Sequence, residues 1–241
     1  MSFDQSFQLE PSQVAGFNQV FRSIIPESIA NANSGAEFRM GGVSLEQRIT
    51  SNTWAGITGQ WLASDLERTL GALEFGFPLT SRTARQKLDY EERSLSAYVY
   101  QLIGQEWSMG ARYGLTHADF QQPFLDPASS AFPVSSFGSL SVSGLLSQLR
   151  LFVQFQHPSG FFAGADSLWN RQHNYGYSPD LPGDDFWQFN LNAGYRCPNR
   201  RAEFRVALLN VGDQDYRLNP LNVTEILPRS RTLALSLRLN F

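Results

Sequence analysis

With 241 residues and a net charge of −3, the chain is long enough for one large all-β domain or two small ones and lacks the basic balance of a nucleic-acid binder. Aromatic residues make up 13% and charged residues only 17%, a mixture that suits a sandwich core or the interfacial girdles of a membrane barrel. No apolar run approaches the roughly 20 residues of a spanning helix, and the mean hydropathy is −0.27, which excludes a helical membrane protein but not a barrel, whose lipid face is hidden by alternation.

Cys197 is the sole cysteine, so neither an internal disulfide nor a cysteine-based metal site can form. The segment Met1-Ser-Phe-Asp-Gln-Ser-Phe7 has no basic n-region and no apolar h-region. An exported chain with this start is expected to be a mature form or a fragment of something longer, and the fragment is favoured because residues 3–9 read like a strand entered part-way.

In chain order, residues 2–9 alternate weakly, with Phe3, Phe7 and Leu9 on odd positions. Residues 10–35 are expected to be a long loop folded over the rest, with a helix as the alternative because Val14, Phe17 and Phe21 have helical spacing. A strand follows over 36–49, with Val43 and Leu45 opposed by Ser44 and Glu46, and a tight turn at 50–53. Residues 54–63 put Ala55, Ile57, Gly59 and Trp61 on one face. Residues 66–86 hold no steady period and predict a long loop, after which 87–103 read as a strand of ambiguous facing. A turn at 104–106 leads to Trp107, Met109, Ala111, Tyr113 and Leu115 on alternate positions. Residues 118–139, with three prolines, predict a second long loop.

Leu145, Leu149, Leu151, Val153 and Phe155 mark the apolar face of the next strand, His157-Pro-Ser-Gly160 a turn, and residues 161–170 the strand leaving it. A third long loop is predicted over 171–185; Trp187, Phe189, Leu191, Ala193 and Tyr195 then alternate with polar residues up to a turn at 196–201. A strand over 202–211, a fourth long loop over 212–229 and the terminal strand bring the count to ten. In that last strand Leu233, Leu235, Leu237, Leu239 and Phe241 occupy every second position.

Short turns thus alternate with long loops, and the strands run to about ten residues, enough to cross an apolar band when tilted. The expectation is an antiparallel transmembrane β-barrel segment over 1–241, with short periplasmic turns and extracellular loops at 66–86, 118–139, 171–185 and 212–229. Ten strands alone would leave a narrow, largely filled bore, so the segment is expected to belong to a larger barrel. Its polar faces hold Arg93, Arg112, Arg150, Arg205, Arg238 and Glu203, which we take as lumen-facing candidates, beside Glu46 and Glu91. Trp54, Trp107 and Trp187 are expected as interface anchors, with packing in a soluble sandwich as the alternative.

The terminal stripe resembles the closing strand of bacterial outer-membrane barrels. That resemblance makes Leu237, Leu239 and Phe241 an assembly signal, with Phe241 read by the barrel-assembly machinery. Asn210-Val-Gly-Asp-Gln-Asp-Tyr216, followed by Pro228-Arg-Ser-Arg-Thr232, resembles the carboxyl end of TonB-dependent receptors, where Asn-Leu-x-Asp-x-x-Tyr precedes a Pro-x-Arg turn; Val211 and an extra Ser230 depart from it. Residues 9–19 are similar to a segment of barrels that follow tetratricopeptide repeats. The resemblance implies residence in the bacterial outer membrane, contact with its lipid, and passage or uptake of an unidentified small solute. TonB would be a partner only with a plug domain upstream. The alternatives are a polysaccharide-export pore, implied by the repeat-linked similarity, and a structural or adhesive barrel.

No enzyme and no cofactor are expected. His157 and Ser159 resemble the His-x-Ser pair of outer-membrane phospholipase, but His157-Pro-Ser-Gly160 is ordinary turn chemistry. Asp180, Asp184 and Asp185 read as a solvated acidic loop rather than a calcium site, and His117 and His173 are too few for a metal site.

Overall fold

The computed structural model describes residues 12–14, 17–19, 37–74, 80–125, 140–197, 201–216 and 230–239. The described residues contain no helix. β1 (Ser12–Val14) and β2 (Phe17–Gln19) pair as a small hairpin, with Val14 opposite Phe17. Those two residues, the helical alternative for 10–35, are therefore in strands; the remainder of that stretch, the strand expected over 2–9, and Phe241 lie outside the described residues.

The other nine strands form one open sheet. They are β3 (Glu37–Thr50), β4 (Thr53–Glu74), β5 (Thr80–Ile103), β6 (Trp107–Gln122), β7 (Leu140–Gln156), β8 (Phe161–Tyr175), β9 (Asp184–Arg196), β10 (Ala202–Leu209) and β11 (Thr232–Leu239). Each pairs antiparallel with its neighbour in sequence, so the sheet order is the chain order. These nine correspond to the nine sequence-predicted strands from residue 36 onward.

The tight connections are local chemistry. Thr50 pairs with Thr53, leaving Ser51 and Asn52 as the turn between β3 and β4. Gly104 supplies a φ of 60 between β5 and β6, a left-handed conformation that costs glycine little. The opposite ends were expected to be long loops, and there the strands continue instead. Residues 66–74 and 80–86 are strand rather than the expected loop: Leu66↔Leu88 and Arg68↔Gln86 belong to a ladder that runs unbroken to Glu74↔Thr80. Likewise β6 extends to Gln122, past the expected loop start at 118, and β8 extends to Tyr175, past the expected start at 171.

The reason is a change of apolar phase. In the turn-proximal half, large apolar side chains occupy odd positions of β3 to β9 and stand exposed, as with Val43, Leu45, Ile57, Leu95, Val99, Met109, Leu151 and Leu191. In β10 and β11 the register carries the same outer face through Phe204, Leu233, Leu235 and Leu237. In the turn-distal half the buried apolar residues are even: Leu62, Leu88, Tyr90, Ala118, Phe120, Val142, Leu146 and Phe186. Alternation persists throughout, but the apolar residues pass from the outer to the inner face. The switch falls within about two residues of one line of cross-strand partners, Gly59–Leu95–Leu115–Ser147–Arg171–Asp185. A search for one phase carried past that line finds no period.

Above the line the inner face packs as a core, with Tyr90, Phe120 and Leu88 fully buried and Met40, Leu66 and Tyr177 against them. The outer face there is charged: Lys87–Asp89 (3.0 Å), Arg93–Glu91 (2.6 Å) and His117–Asp119 (3.1 Å) form cross-position pairs. Below the line the arrangement inverts, with an apolar outer face and a polar inner one.

Two predictions follow from this division. Phe120→Ala should cost about 3–5 kcal/mol in a denaturant titration, because it empties a fully packed site. Met109→Arg should cost about 2–4 kcal/mol in lipid, while Ser108→Arg, one residue away on the inner face, should cost far less; equal losses would contradict the assignment of faces.

Candidate functional site

The inner face below the line is the candidate site, and its shape begins with glycines placed opposite rings. Gly56 pairs with Tyr98, Gly110 with both Tyr100 and Phe152, and Gly194 with Phe162. A Cβ at Gly56, Gly110 or Gly194 would fall on the ring of its partner, so each ring lies folded over a bare stretch of backbone. Tyr98 and Tyr100 stack at 4.6 Å, and Phe152 follows Tyr100 at 5.6 Å. Bulky side chains are thereby laid along the wall instead of projecting from it.

Polar residues fill the rest of this wall. Gln148 Nε2 donates to Asn170 Oδ1 at 2.9 Å, and Asn190 Nδ2 donates to Asp166 Oδ2 at 2.9 Å. Arg196 donates to Glu203 at 2.8 Å and lies 5.5 Å from the Phe162 ring centroid. Arg48 lies 5.6 Å from the Trp54 ring and donates to the carbonyls of Thr50 and Ser51. Arg112 and Arg150 are direct cross-strand partners, as are Glu203 and Arg238, while Arg205 faces Ser236.

Of the residues predicted to line the lumen, Arg112, Arg150, Arg205, Arg238 and Glu203 share this inner face. Arg93 does not. It has the parity of Trp61 and Leu95, pairs with His117, and lies on the outer face with Glu91. Sequence reasoning had grouped it by charge; counting two back from Leu95 places it outside. Glu91 moves with it, and Trp54 moves the other way, onto the inner face beside Arg48. The expectation missed Arg48, Arg196 and Asp166, whose parity relative to Leu45, Tyr195 and Ala165 was the available signal.

The outer apolar band ends in aromatics at both margins. Trp61 and Trp169 donate their indole N–H to Glu91 and Asp185, each at 2.7 Å, with their rings on the apolar side. Trp107 and Phe155, 4.8 Å apart, mark the turn-side margin with Phe161 and Tyr195. Leu237 and Leu239 lie on this same outer face at the β11 edge.

The Asn210–Tyr216 stretch is a clamp. Asn210 adopts φ 48; its Oδ1 accepts from Gln214 N at 2.8 Å and its Nδ2 donates to Gln214 O at 3.1 Å, while its own N–H donates to Asn190 Oδ1 at 2.8 Å. Tyr216 then stacks on Phe186 at 4.6 Å, and Asp213 accepts from Arg231 N at 2.6 Å. Residues 210–216 are thereby fastened across the inner face, with Asp213 tied to the start of the last described segment at Arg231.

At the opposite end, His157 Nδ1 lies 2.8 Å from Ser159 Oγ and accepts from Ser159 N, on an exposed turn closed by Gly160 N donating to His157 O. Asp185 is engaged by Trp169 and Arg171, and His173 accepts from Arg171 at 2.9 Å, apart from the His117–Asp119 pair. Among the described residues no three metal-ligating side chains are grouped to hold an ion. Burial raises the Tyr177 phenol above its ordinary range, so it stays protonated beside the upper core.

Among the described residues the chain is all-β, with nine antiparallel strands in one open sheet beside the β1–β2 hairpin, an arrangement consistent with a barrel-like β protein. Its structure is similar to that of BauA, the ferric preacinetobactin receptor from Acinetobacter baumannii, with a TM-score of 0.52 and 12% sequence identity over 85% of this chain. It spans 35% of that receptor's length. No family description matches the sequence, and no curated protein matches it. At this identity the likeness is one of fold.

The ring and glycine pairing makes a prediction. Gly110→Val should cost about 1–3 kcal/mol by forcing Tyr100 and Phe152 off the wall. Gly114→Ala, where a Cβ meets nothing within 4 Å, should leave the denaturation midpoint almost unchanged.

Proposed function

We propose that the chain forms part of the wall of a bacterial outer-membrane β-barrel of the kind found in TonB-dependent receptors, and that the barrel serves uptake or passage of a solute. The observation that carries this reading is the band in which the outer face is apolar and exposed while the inner face is polar. A contiguous apolar surface of this size needs a cover, and lipid is the cover that also explains aromatic margins with their N–H groups turned toward carboxylates.

The edges of the sheet support the same reading. Backbone groups in lipid need partners, so spanning sheets are closed, and β3 and β11 are each paired on one side only within the described sheet. Across nine antiparallel strands the first and last run in the same direction. All-antiparallel closure therefore requires an odd number of further strands between them. The short span relative to BauA accords with a barrel larger than this sheet, and that receptor's ferric ligand suggests uptake as the direction.

The test is reconstitution of the full chain in lipid vesicles. Resistance to alkaline extraction, with unboiled material running differently on a gel from boiled material, is the expected result. A folded monomer that stays in solution without detergent contradicts the membrane reading. Vesicle swelling in small sugars tests passage separately, and its absence in an inserted, folded sample counts against transport by this chain.

A further inference from the structure

We propose that the outer face just beyond the apolar band is a docking surface for lipid head groups of the phosphoethanolamine type, built on Arg93 and Glu91 of β5 and His117 and Asp119 of β6. The inference rests on the reading above that the band meets lipid, and it names the lipid chemistry at the far margin of that band.

These side chains form rows across the sheet. Arg93 and His117 are direct partners in the β5–β6 ladder, next to Leu95 and Leu115 at the end of the apolar band, and Glu91 and Asp119 are direct partners one row farther from the tight turns. The row beyond holds Asp65 and Asp89, again direct partners. Like therefore faces like across the strands, which costs stability where opposite charges could face each other. The ion pairs run along the strands instead, from Arg93 to Glu91 at 2.6 Å and from His117 Nδ1 to Asp119 Oδ2 at 3.1 Å. A face that served only its own stability would gain by exchanging His117 with Asp119, which sets each base opposite a carboxylate. The side chains are sorted by height above the apolar band, bases first and acids beyond. Such sorting answers a medium that is itself layered in charge.

The level is that of head groups. Trp61 is the direct partner of Arg93, and its indole N–H donates to Glu91 Oε1 at 2.7 Å; indoles so placed sit where acyl chains give way to head groups. At the tilt of a spanning strand, each row climbs about 5 Å along the membrane normal. A lipid with its phosphate directly above the acyl chains and an ammonium one ethanolamine unit beyond presents the complementary sign to both rows. Arg93 can serve the phosphate without releasing Glu91. Its Nε and Nη2 both reach Glu91 Oε1, its side chain is 69% exposed, and a guanidinium carries further N–H donors in a fork that matches phosphate oxygens. Glu91 and Asp119 have lone pairs left for the N–H groups of an ammonium. A choline head group has no N–H to offer them, and a glycerol head group has no cation, so the carboxylate row selects ethanolamine.

The experiment is native mass spectrometry of the detergent-folded full chain with phosphatidylethanolamine, phosphatidylcholine and phosphatidylglycerol of identical acyl chains. The ethanolamine lipid should be retained at least about threefold better than either of the others, the scale of exposed ion pairs. Glu91→Gln with Asp119→Asn should abolish the preference over phosphatidylglycerol, and Arg93→Gln with His117→Gln should weaken retention of all three lipids. Arg112→Gln, on the inner face, should leave the pattern unchanged, and a heat-dependent gel shift confirms that each variant is folded. Soluble phosphoethanolamine should not displace the lipid; displacement would mark a site for a free solute and overturn the lipid assignment. Equal retention of the three lipids by wild type, or an unaltered preference in Glu91→Gln with Asp119→Asn, also overturns the proposal. Alkaline extraction from vesicles separates the two readings: a chain that inserts without head-group preference removes this inference alone, and a folded chain that stays in solution removes the membrane reading itself.

Discussion

The structure depends on a ladder that does not break while the chemistry of its two faces is exchanged along its length. Backbone pairing runs from the tight turns to the far ends of β4 and β5, and within it each residue is committed to one face by its parity. Below the line through Gly59, Leu95 and Leu115 the outer face is apolar and the inner one polar; above it the assignments are exchanged. Extended strands accommodate this at no backbone cost, since one residue's shift in apolar phase needs no bulge.

Consequences for the inner wall follow from the same commitment. Every even residue of β3 to β9 below the line must project to the inner face, and at about 3.4 Å per residue that face would be crowded by rings if they stood upright. Glycines directly across from Tyr98, Tyr100, Phe152 and Phe162 let those rings lie flat. Cationic side chains then stand above a low surface, and charge rather than bulk becomes its dominant chemical feature. The Asn210–Tyr216 clamp belongs to this arrangement too, holding residues 210–216 against Asn190 and Phe186.

Much of this was legible from alternation. The runs from Trp107 to Leu115 and from Leu233 to Leu239 stated their apolar face without ambiguity, and the corresponding strands carry it outward. The extensions of β4 and β5 were not legible, because Leu62 and Leu66 break the phase set by Ala55, Ile57 and Trp61. Such a change looks like irregularity until the partner strand shows Leu88 and Tyr90 doing the same. Arg93 illustrates the remaining difficulty: its charge suggests the polar side, while its parity with Leu95 and its register with His117 and Trp61 place it on the outer one. The Asn210 motif was visible as a resemblance, but its hydrogen bonds explain it as a turn lock.

The central claim is that the outer face meets lipid below the phase line and water above it. Single nitroxide labels placed at successive positions of β6 from Trp107 to Gln122, in the full chain reconstituted in vesicles, test it most directly. Labels at odd positions up to Leu115 should be relaxed by dissolved oxygen and shielded from a polar nickel reagent, and labels at His117, Asp119 and Gln121 should show the reverse. Nickel access at Met109, Ala111 and Tyr113, or oxygen preference continuing through Gln121, would contradict the account.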